Sequence, residues 1–258
     1  MRIPEKRIIE LKKLIQKEKM ITVDRISKLF DISPITVRRD LERLHNEGFL
    51  NKVHGGAVYR DMLEPEPVFN EQVRLHRDEK ARIAKEAAKR INDGDSIIIE
   101  SGSTCLGLVK HLVNKKNLKV STAGIPIAIE LWKLSSIKKD IEVSVCGGVI
   151  RTGSSIYVGP HAVSYFEKIN VDKAFISAVA VSVDKGISTA TQFDAELIKA
   201  MTRSAREIIL LCDSSKFGNY SYINIMPISK LDEIITDKNI DSKFVKEIKK
   251  LAVKITLV

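Results

Sequence analysis

The chain has 258 residues, with 43 Lys and Arg against 33 Asp and Glu, and therefore a net charge of +10 at pH 7. Six of these excess positive charges lie in residues 1–60, and a concentrated positive field favours polyanionic partners such as DNA. No apolar run approaches the ~18 residues of a membrane span, and the N-terminus lacks the apolar segment of a signal peptide. We therefore expect a cytoplasmic protein. The three cysteines form no C-x-x-C pair, so neither a disulfide framework nor a metal site is expected.

Residues 20–45 have the pattern of two short helices joined by a tight turn. Thr22 is a good N-cap for the first helix and Ser33 for the second. Pro34 fits the first position of the second helix, where its missing N–H is no loss. Two helices joined in this way form the helix-turn-helix arrangement of DNA-binding proteins.

The second of these helices has one apolar face. Val37, Leu41 and Leu44 recur at helical spacing and are expected to be buried. The side chains outside this stripe remain free to contact DNA, and arginine can bind guanine edges and phosphates through two hydrogen bonds. We predict DNA contacts from Ser33, Ile35, Thr36, Arg38, Arg39 and Arg43.

A small β-hairpin, or wing, is predicted directly after this helix. Phe49-Leu50 can pair with Val53-His54, and the hairpin would end at Gly55-Gly56. Lys52 and His54 would then lie near the sugar–phosphate backbone of bound DNA. These observations predict a DNA-binding domain over residues 1–57.

The pattern changes after this domain. Residues 58–72 lose the apolar period, and Pro65 and Pro67, flanked by glutamates, disfavour helix and central strand, which predicts a linker. Residues 73–258 then alternate short apolar strands with helices of about ten residues. This alternation predicts an α/β domain with a mostly parallel sheet covered on both faces.

Ligands of such sheets bind beyond the carboxyl ends of the strands. Glu100-Ser101-Gly102-Ser103-Thr104 follows a predicted strand and begins a helix, so its glycine, hydroxyls and free N–H groups can form a phosphate cradle. A capped turn that binds nothing is the alternative. Three further loops lie at equivalent strand ends. We predict ligand contacts from Glu100, Ser101, Gly102, Ser103, Thr104, Ala123, Gly147, Gly148, Asp213 and Lys216.

Together these motifs resemble the DeoR family of transcriptional repressors along nearly the whole chain. The matching segments are residues 33–41, 48–50, 54–57, 94–95, 101–104, 147–148, 172–175, 213–218 and 235–237. The resemblance implies a winged helix-turn-helix domain joined to a sensor domain similar to ribose-5-phosphate isomerase and coenzyme A transferases. It also implies a homo-oligomer, dimer or tetramer, that represses a carbohydrate catabolic operon at its DNA operator. A phosphorylated sugar or related metabolite would relieve this repression, and no cofactor is implied.

Several residues depart from the family pattern at the expected effector site. Glu100 stands where the family usually has Asp, Ser103 where it often has Thr, and Ala123 where it commonly has Asn. Residues 177–181 lack the usual glycines, and Asp194 replaces a usual Glu. These differences predict an unusual effector, or a site in which effector binding is weak or lost.

Two other functions remain open from the sequence. A sugar-phosphate isomerase needs an acid–base carboxylate over its substrate, but residues 178–183 are small and apolar apart from Ser182. Catalytic residues are therefore not expected. The other alternative is a DNA-binding protein whose second domain serves only oligomerisation.

Overall fold

A computed structural model describes residues 3–18, 20–47, 49–53, 55–59, 69–151 and 154–258. The chain forms two compact units, Met1–Glu64 and Pro65–Val258. Most of the expected linker lies outside the described residues. None of the described helices has the length and apolar character that crossing a membrane requires.

The described part of the first unit contains three helices and a three-stranded antiparallel sheet of order β1-β3-β2. Its elements are α1 (Ile3–Glu18), β1 (Met20–Thr22), α2 (Val23–Phe30), α3 (Pro34–Asn46), β2 (Leu50–Val53) and β3 (Gly56–Tyr59). Helices α2 and α3 form the predicted helix-turn-helix, and β2 and β3 form the wing. The predicted winged helix-turn-helix fold is confirmed.

Both predicted caps are confirmed. Thr22 Oγ1 accepts a hydrogen bond from the backbone N–H of Arg25 at 3.3 Å, which begins α2. Ser33 Oγ accepts one from the N–H of Thr36 at 3.3 Å, which begins α3. The apolar stripe of α3 is fully or almost fully buried and packs in one cluster with α1 and α2. This packing fixes which side chains of α3 face outward.

The wing has a different register from the predicted one. Val53 lies opposite Gly56 and Leu50 lies opposite Tyr59, so the pairing of Phe49-Leu50 with Val53-His54 is wrong. Gly55 has φ +75°, a left-handed conformation that suits glycine at a tight turn. The sequence pattern also missed β1, which pairs with the other edge of β3. Strand β3 continues to Tyr59, which pairs with Leu50 of β2, two residues beyond the expected domain boundary at residue 57.

The second unit alternates helices with strands, as predicted. Its helices are α4 (Phe69–Arg74), α5 (Arg77–Ala87), α6 (Ser103–Val109), α7 (Ile125–Ile137), α8 (Pro160–Glu167), α9 (Gln192–Arg203) and α10 (Ser242–Lys250). Its strands are β4 (Ser96–Ile99), β5 (Leu118–Thr122), β6 (Ile141–Val145), β7 (Val149–Arg151), β8 (Ile156–Val158), β9 (Val171–Ile176), β10 (Ala180–Ser182), β11 (Gly186–Thr189), β12 (Ala205–Leu211), β13 (Ile223–Met226), β14 (Glu233–Thr236) and β15 (Lys254–Leu257).

Seven of these strands form a parallel sheet of order β15-β14-β12-β9-β4-β5-β6. Helices cover both of its faces, because alternate side chains enter two separate cores. Ile97 and Ile99 of β4 belong to the core that contains residues of α5, α6 and α7. Ile98 belongs to the core that contains residues of α8, α9 and α10. The predicted α/β architecture is confirmed.

Two small antiparallel sheets that were not predicted from the sequence pattern accompany the main sheet. One pairs β7 with β8, and the other has the order β10-β11-β13. The hairpin between β10 and β11 turns just before Gly186, whose φ is +82°. The main sheet remains the element that positions the candidate ligand site, since its strand ends bring distant segments together.

Candidate functional site

The outward face of α3 carries the residues expected to contact DNA. Ile35 is 76% exposed, and Arg38 and Arg39 are exposed. Neither arginine has an ion-pair partner within the described residues, so both guanidinium groups are available to phosphates or guanine edges. Exposure of the apolar Ile35 side chain to water is unfavourable. In the major groove of DNA the same side chain can contact a thymine methyl group.

The other predicted residues of α3 are partly engaged within the protein. Ser33 Oγ and Thr36 Oγ1 lie 3.0 Å apart as a hydrogen-bonded pair, and Ser33 also caps the helix. Arg43 lies nearer the helix end and donates to Glu47 Oε1 at 3.0 Å. On the wing, Lys52 lies in β2 opposite Ala57. His54 lies outside the described residues.

Asp40 is a charged residue of α3 that faces inward. It is 8% exposed and accepts hydrogen bonds from Arg7 Nε at 2.7 Å and Nη2 at 3.2 Å. Donating these hydrogen bonds to the Asp40 carboxylate raises the pKa of the Arg7 guanidinium. This two-point contact holds α3 against α1, so Asp40 orients the helix whose other face carries the free arginines.

In the second unit, Glu100 organises the loop after β4. It is 4% exposed and accepts hydrogen bonds from four donors. These are Ser101 Oγ at 2.5 Å, Gly102 N at 2.9 Å, Ser177 N at 3.2 Å and Ser177 Oγ at 2.6 Å. The carboxylate therefore connects the ends of β4 and β9 and fixes the backbone of the candidate cradle.

The glycine of this loop is required by internal packing. A Cβ atom on Gly102 would lie 2.6 Å from Ser177 Cβ and 3.1 Å from Glu100 Oε2. Ser103 and Thr104 begin α6, with Ser103 half-buried and Thr104 buried. The loop thus has the compact form expected of a cradle, although the close neighbour of its glycine is Ser177.

The loop Gly147-Gly148 has space for a side chain at its first glycine but not at its second. Gly147 has φ +67° and open space around its α-carbon. Gly148 has φ +120°, and a Cβ there would lie 2.7 Å from the carbonyl oxygen of Val158. Ala123 is fully buried, and its carbonyl accepts a hydrogen bond from Tyr157 N at 2.9 Å. Gly147 is therefore the position of these three that leaves room for a ligand.

Asp213 lies beyond the carboxyl end of β12 and is 1% exposed. Its Oδ1 accepts hydrogen bonds from the N–H and hydroxyl of Ser215, while Oδ2 has no hydrogen-bond partner among the described residues. Burial alone would raise the pKa of this carboxyl group, but Lys216 and the Ser215 hydroxyl hold it below its usual value. Asp213 is thus a buried, ionised carboxylate with one free acceptor atom.

Lys80 of α5, which was not predicted from the sequence, forms a cluster of charged residues with Asp213 and Lys216. It is 7% exposed, and its Nζ donates to the backbone carbonyl of Gln72 at 2.5 Å. Burial, reinforced by Lys216 and opposed by Asp213, lowers the pKa of Lys80 to about 8. His76 also acts electrostatically on Asp213. Lys80 lies on the same apolar face of α5 as Ile83. Because lysine is almost never buried unless it is paired, its position on this face was the sequence signal that could have identified it.

The fold and these two groups of residues define a winged-helix DNA-binding protein with an α/β sensor unit. Residues 7–62 match the family model described as the DeoR-like helix-turn-helix domain, and residues 75–238 match the DeoR C terminal sensor domain. The chain belongs to the DeoR family and is a DNA-binding transcriptional regulator.

Two relatives in sequence agree with this assignment. The HTH-type transcriptional regulator YulB of Bacillus subtilis (strain 168) is 34% identical over 254 residues, which cover 98% of this chain and 95% of the relative. The transcriptional repressor AccR of Agrobacterium fabrum is 33% identical over 225 residues, covering 87% and 86%. Among solved structures, ribose 5-phosphate isomerase from Plasmodium falciparum matches 54% of this chain and 52% of its own, at 14% identity and TM-score 0.39.

Proposed function

We propose that the protein represses a carbohydrate catabolic operon and releases its DNA operator when a phosphorylated sugar, or a related metabolite, binds the second unit. Its DNA contacts would come from Ile35, Arg38 and Arg39 of α3, with Lys52 and His54 of the wing near phosphates. That the protein represses transcription, and does not activate it, is supported by its relative AccR, which is named a transcriptional repressor and is 33% identical.

The observation that carries the effector proposal is the cluster around Asp213. Two lysines lie beside a buried carboxylate whose Oδ2 has no partner within the described residues. Lys80 and Lys216 can neutralise an anionic group, while Oδ2 can accept a hydrogen bond from a hydroxyl. A ligand that supplies both an anion and hydroxyl donors, such as a sugar phosphate, satisfies every part of this cluster.

The loop after β4 completes the proposed site. Strands β4 and β12 are separated only by β9, so their ends lie about 10 Å apart. A phosphorylated sugar can span that distance, with one end near Lys216 and the other near the hydroxyls of Ser101, Ser103 and Thr104. Gly147 would lie at the rim. In this proposal Glu100 positions the loop, because its carboxylate already accepts four hydrogen bonds.

Repression would require two copies of the chain. A lone helix-turn-helix contacts few base pairs, so two heads would bind half-sites separated by multiples of ~10 base pairs. The ligand changes DNA affinity only if it favours one arrangement of the heads, and a coupling of ~1–3 kcal/mol shifts operator affinity ~5–150-fold. We propose that the second unit supplies the self-association and does not act as an isomerase.

The test begins with DNA duplexes selected from a random pool by the wild-type chain. Calorimetry at fixed salt then measures binding of a panel of sugar phosphates, the corresponding free sugars and inorganic phosphate. We expect at least one sugar phosphate to bind and to weaken DNA binding, while its free sugar does neither.

Two variants connect this response to the cluster. Lys216→Met removes the charge and Asp213→Asn weakens the acceptor, and both should abolish the ligand response while DNA affinity without ligand is retained. Lys249→Met, on the exposed side of α10, removes the same charge elsewhere and should respond normally. If no phosphorylated compound binds, or if both cluster variants respond like the wild type, the effector proposal is wrong.

A further inference from the structure

Helix α7 has an unusual distribution of apolar residues. Its sequence, IPIAIELWKLSSI, has only two charged residues in 13 positions. Ile127 and Leu131 pack into the core of the sheet. A helix that is apolar on all sides is normally covered on all sides, yet Ile129 is 46%, Trp132 66% and Ile137 82% exposed.

The exposed residues form one continuous face. Ile129, Trp132 and Ser136 follow the spacing i, i+3 and i+7, so they form one row along the helix. The adjacent row contains the two charged residues and Ile137. The hydroxyl of Ser136 donates to the carbonyl of Trp132 at 2.9 Å, so it is already satisfied inside the helix. We call residues 129, 130, 132, 133, 136 and 137 the outer face of α7.

We propose that the outer face of α7 is a self-association surface, on which α7 of a second copy of this chain packs in antiparallel orientation about a two-fold axis. In such a contact, any residue that touches a second residue on the other copy has the same contact repeated with the two copies exchanged. This proposal rests on the proposed function only in requiring two DNA-binding heads to act together.

The charges of the outer face favour a second copy over another partner. They are Glu130 and Lys133, which form an exposed ion pair of 2.7 Å within the helix. In an antiparallel pair of helices, Glu130 of one copy can approach the lysine of the other, and the reciprocal contact forms simultaneously. The face is neutral although the chain carries a net charge of +10, so two copies can meet there with little repulsion.

The position of the helix is also suitable. Helix α7 packs beside β6, which is the last strand of the seven-stranded sheet. β6 ends at Val145, which is 40% exposed. In protein interfaces, a few central residues contribute most of the binding energy, and tryptophan is common among them. Trp132 has this position, at the centre of an apolar face with charged residues beside it.

Trp132 is the only tryptophan of the chain and therefore reports directly on this surface. We expect its emission to shift to shorter wavelength, and its quenching by iodide to fall, as the full-length protein is concentrated from nanomolar to tens of micromolar. Sedimentation velocity should show monomers converting to dimers over the same range. A Trp132 signal that stays constant while dimers form would overturn the proposal, as would a strictly monomeric chain.

Charge reversal provides the decisive variants. Glu130→Lys and Lys133→Glu should each weaken dimerisation, because each places like charges opposite one another in both reciprocal contacts. The double variant restores opposite charges and should dimerise like the wild type. If the outer face of α7 contacted a different surface, including the other unit of the same chain, the double variant would not restore that contact. Dimerisation of the double variant that is as weak as that of the single variants would therefore contradict the proposal.

Ile129→Lys should weaken dimerisation by about 30-fold or more, as expected for a central interface residue. Tyr222→Glu is the control, since Tyr222 is 74% exposed and lies next to β13. It should dimerise normally, and dissociation by this variant instead would place the interface elsewhere. Thermal unfolding verifies that each variant is folded. A chain that dimerises through α7 without binding DNA would contradict the proposed function but would still support the outer face of α7 as the self-association surface.

Discussion

Ser177 fills the space into which a side chain at Gly102 would project, although the two residues are 75 positions apart in the chain. A Cβ on Gly102 would come within 2.6 Å of Ser177 Cβ. The same serine donates to Glu100 Oε2, which also accepts from the N–H of Gly102. The candidate cradle is therefore one packed unit made from the ends of β4 and β9.

We expect Gly102→Ala to destabilise the second unit by about 1–3 kcal/mol, because the added methyl group overpacks this contact. Combining it with Ser177→Gly should recover part of the loss, since the second substitution removes the atoms that clash. Urea unfolding followed by far-ultraviolet circular dichroism measures the separate and combined effects of the two substitutions in a double-mutant cycle. Simple additivity of the two effects would show that the residues do not compete for space.

Arg38→Ala and Arg39→Ala should each reduce specific DNA binding ~5–150-fold, which corresponds to the ~1–3 kcal/mol of a bidentate base contact. Neither guanidinium has an ion pair within the described residues, so thermal stability should be unchanged. Fluorescence anisotropy with selected and scrambled duplexes distinguishes specific from general binding. Arg82→Ala removes the same charge from the second unit and serves as control. Wild-type affinity in both α3 variants would exclude this face as the DNA contact.

The parts of the fold that sequence predicted correctly depend on local interactions. Thr22 and Ser33 cap their helices through donors three residues away, and Val37, Leu41 and Leu44 define a buried stripe within one helix. Such contacts involve neighbours in the chain, so residue type and spacing suffice to predict them. Family resemblance added the assignment of the second unit as a sensor domain.

The parts that sequence missed depend on distant partners. The predicted wing register was wrong, and the pairing of β3 with β1, about 35 residues earlier in the chain, was missed. Lys80 joins Asp213 only after α5 has packed on the sheet, and no spacing rule links two residues so far apart. The role of Glu100 was hidden for the same reason, since Ser177 supplies two of its four donors.

Acid sensitivity of the second unit is expected to depend on Glu233, which is 1% exposed. Its carboxylate accepts hydrogen bonds from Arg90 Nε at 2.9 Å, Arg90 Nη2 at 2.8 Å and Thr256 Oγ1 at 2.6 Å. Burial alone would raise the pKa of Glu233, but these donors and Lys254 lower it from 4.5 to about 2. A folded-state pKa below the unfolded one stabilises the fold above pH 4.5, and this stabilisation is lost as the pH falls toward 2.

Glu233→Gln should therefore cost about 3 kcal/mol at neutral pH, because it leaves the Arg90 charge without its buried partner. The difference from wild type should shrink steadily below pH 4.5. Urea unfolding followed by far-ultraviolet circular dichroism at several pH values tests this dependence. Glu167→Gln removes a more exposed carboxylate, paired with Arg203, and should cost less than about 1 kcal/mol. A Glu233→Gln penalty that is independent of pH would contradict the assignment.

Lys80 leads to the last prediction, which concerns protons and the effector. Because burial lowers its pKa to about 8, Lys80 is only about half protonated at that pH. The charged groups that act on it are Asp213 and Lys216, and a bound phosphate would add a negative charge beside them. The pKa of Lys80 should therefore rise on binding, so that the complex takes up a proton from solution.

Calorimetry at pH 8 in two buffers of different ionisation enthalpy measures this uptake directly. We expect a fractional proton to be taken up per sugar phosphate, and affinity to fall by up to about 10-fold per pH unit as the pH rises further. The phosphate is already a dianion at this pH because its second pKa is about 6, so it contributes little uptake of its own. Lys80→Met should abolish the buffer dependence, while Lys249→Met should retain it. Equal proton uptake by wild type and Lys80→Met would show that the effector does not bind against Lys80.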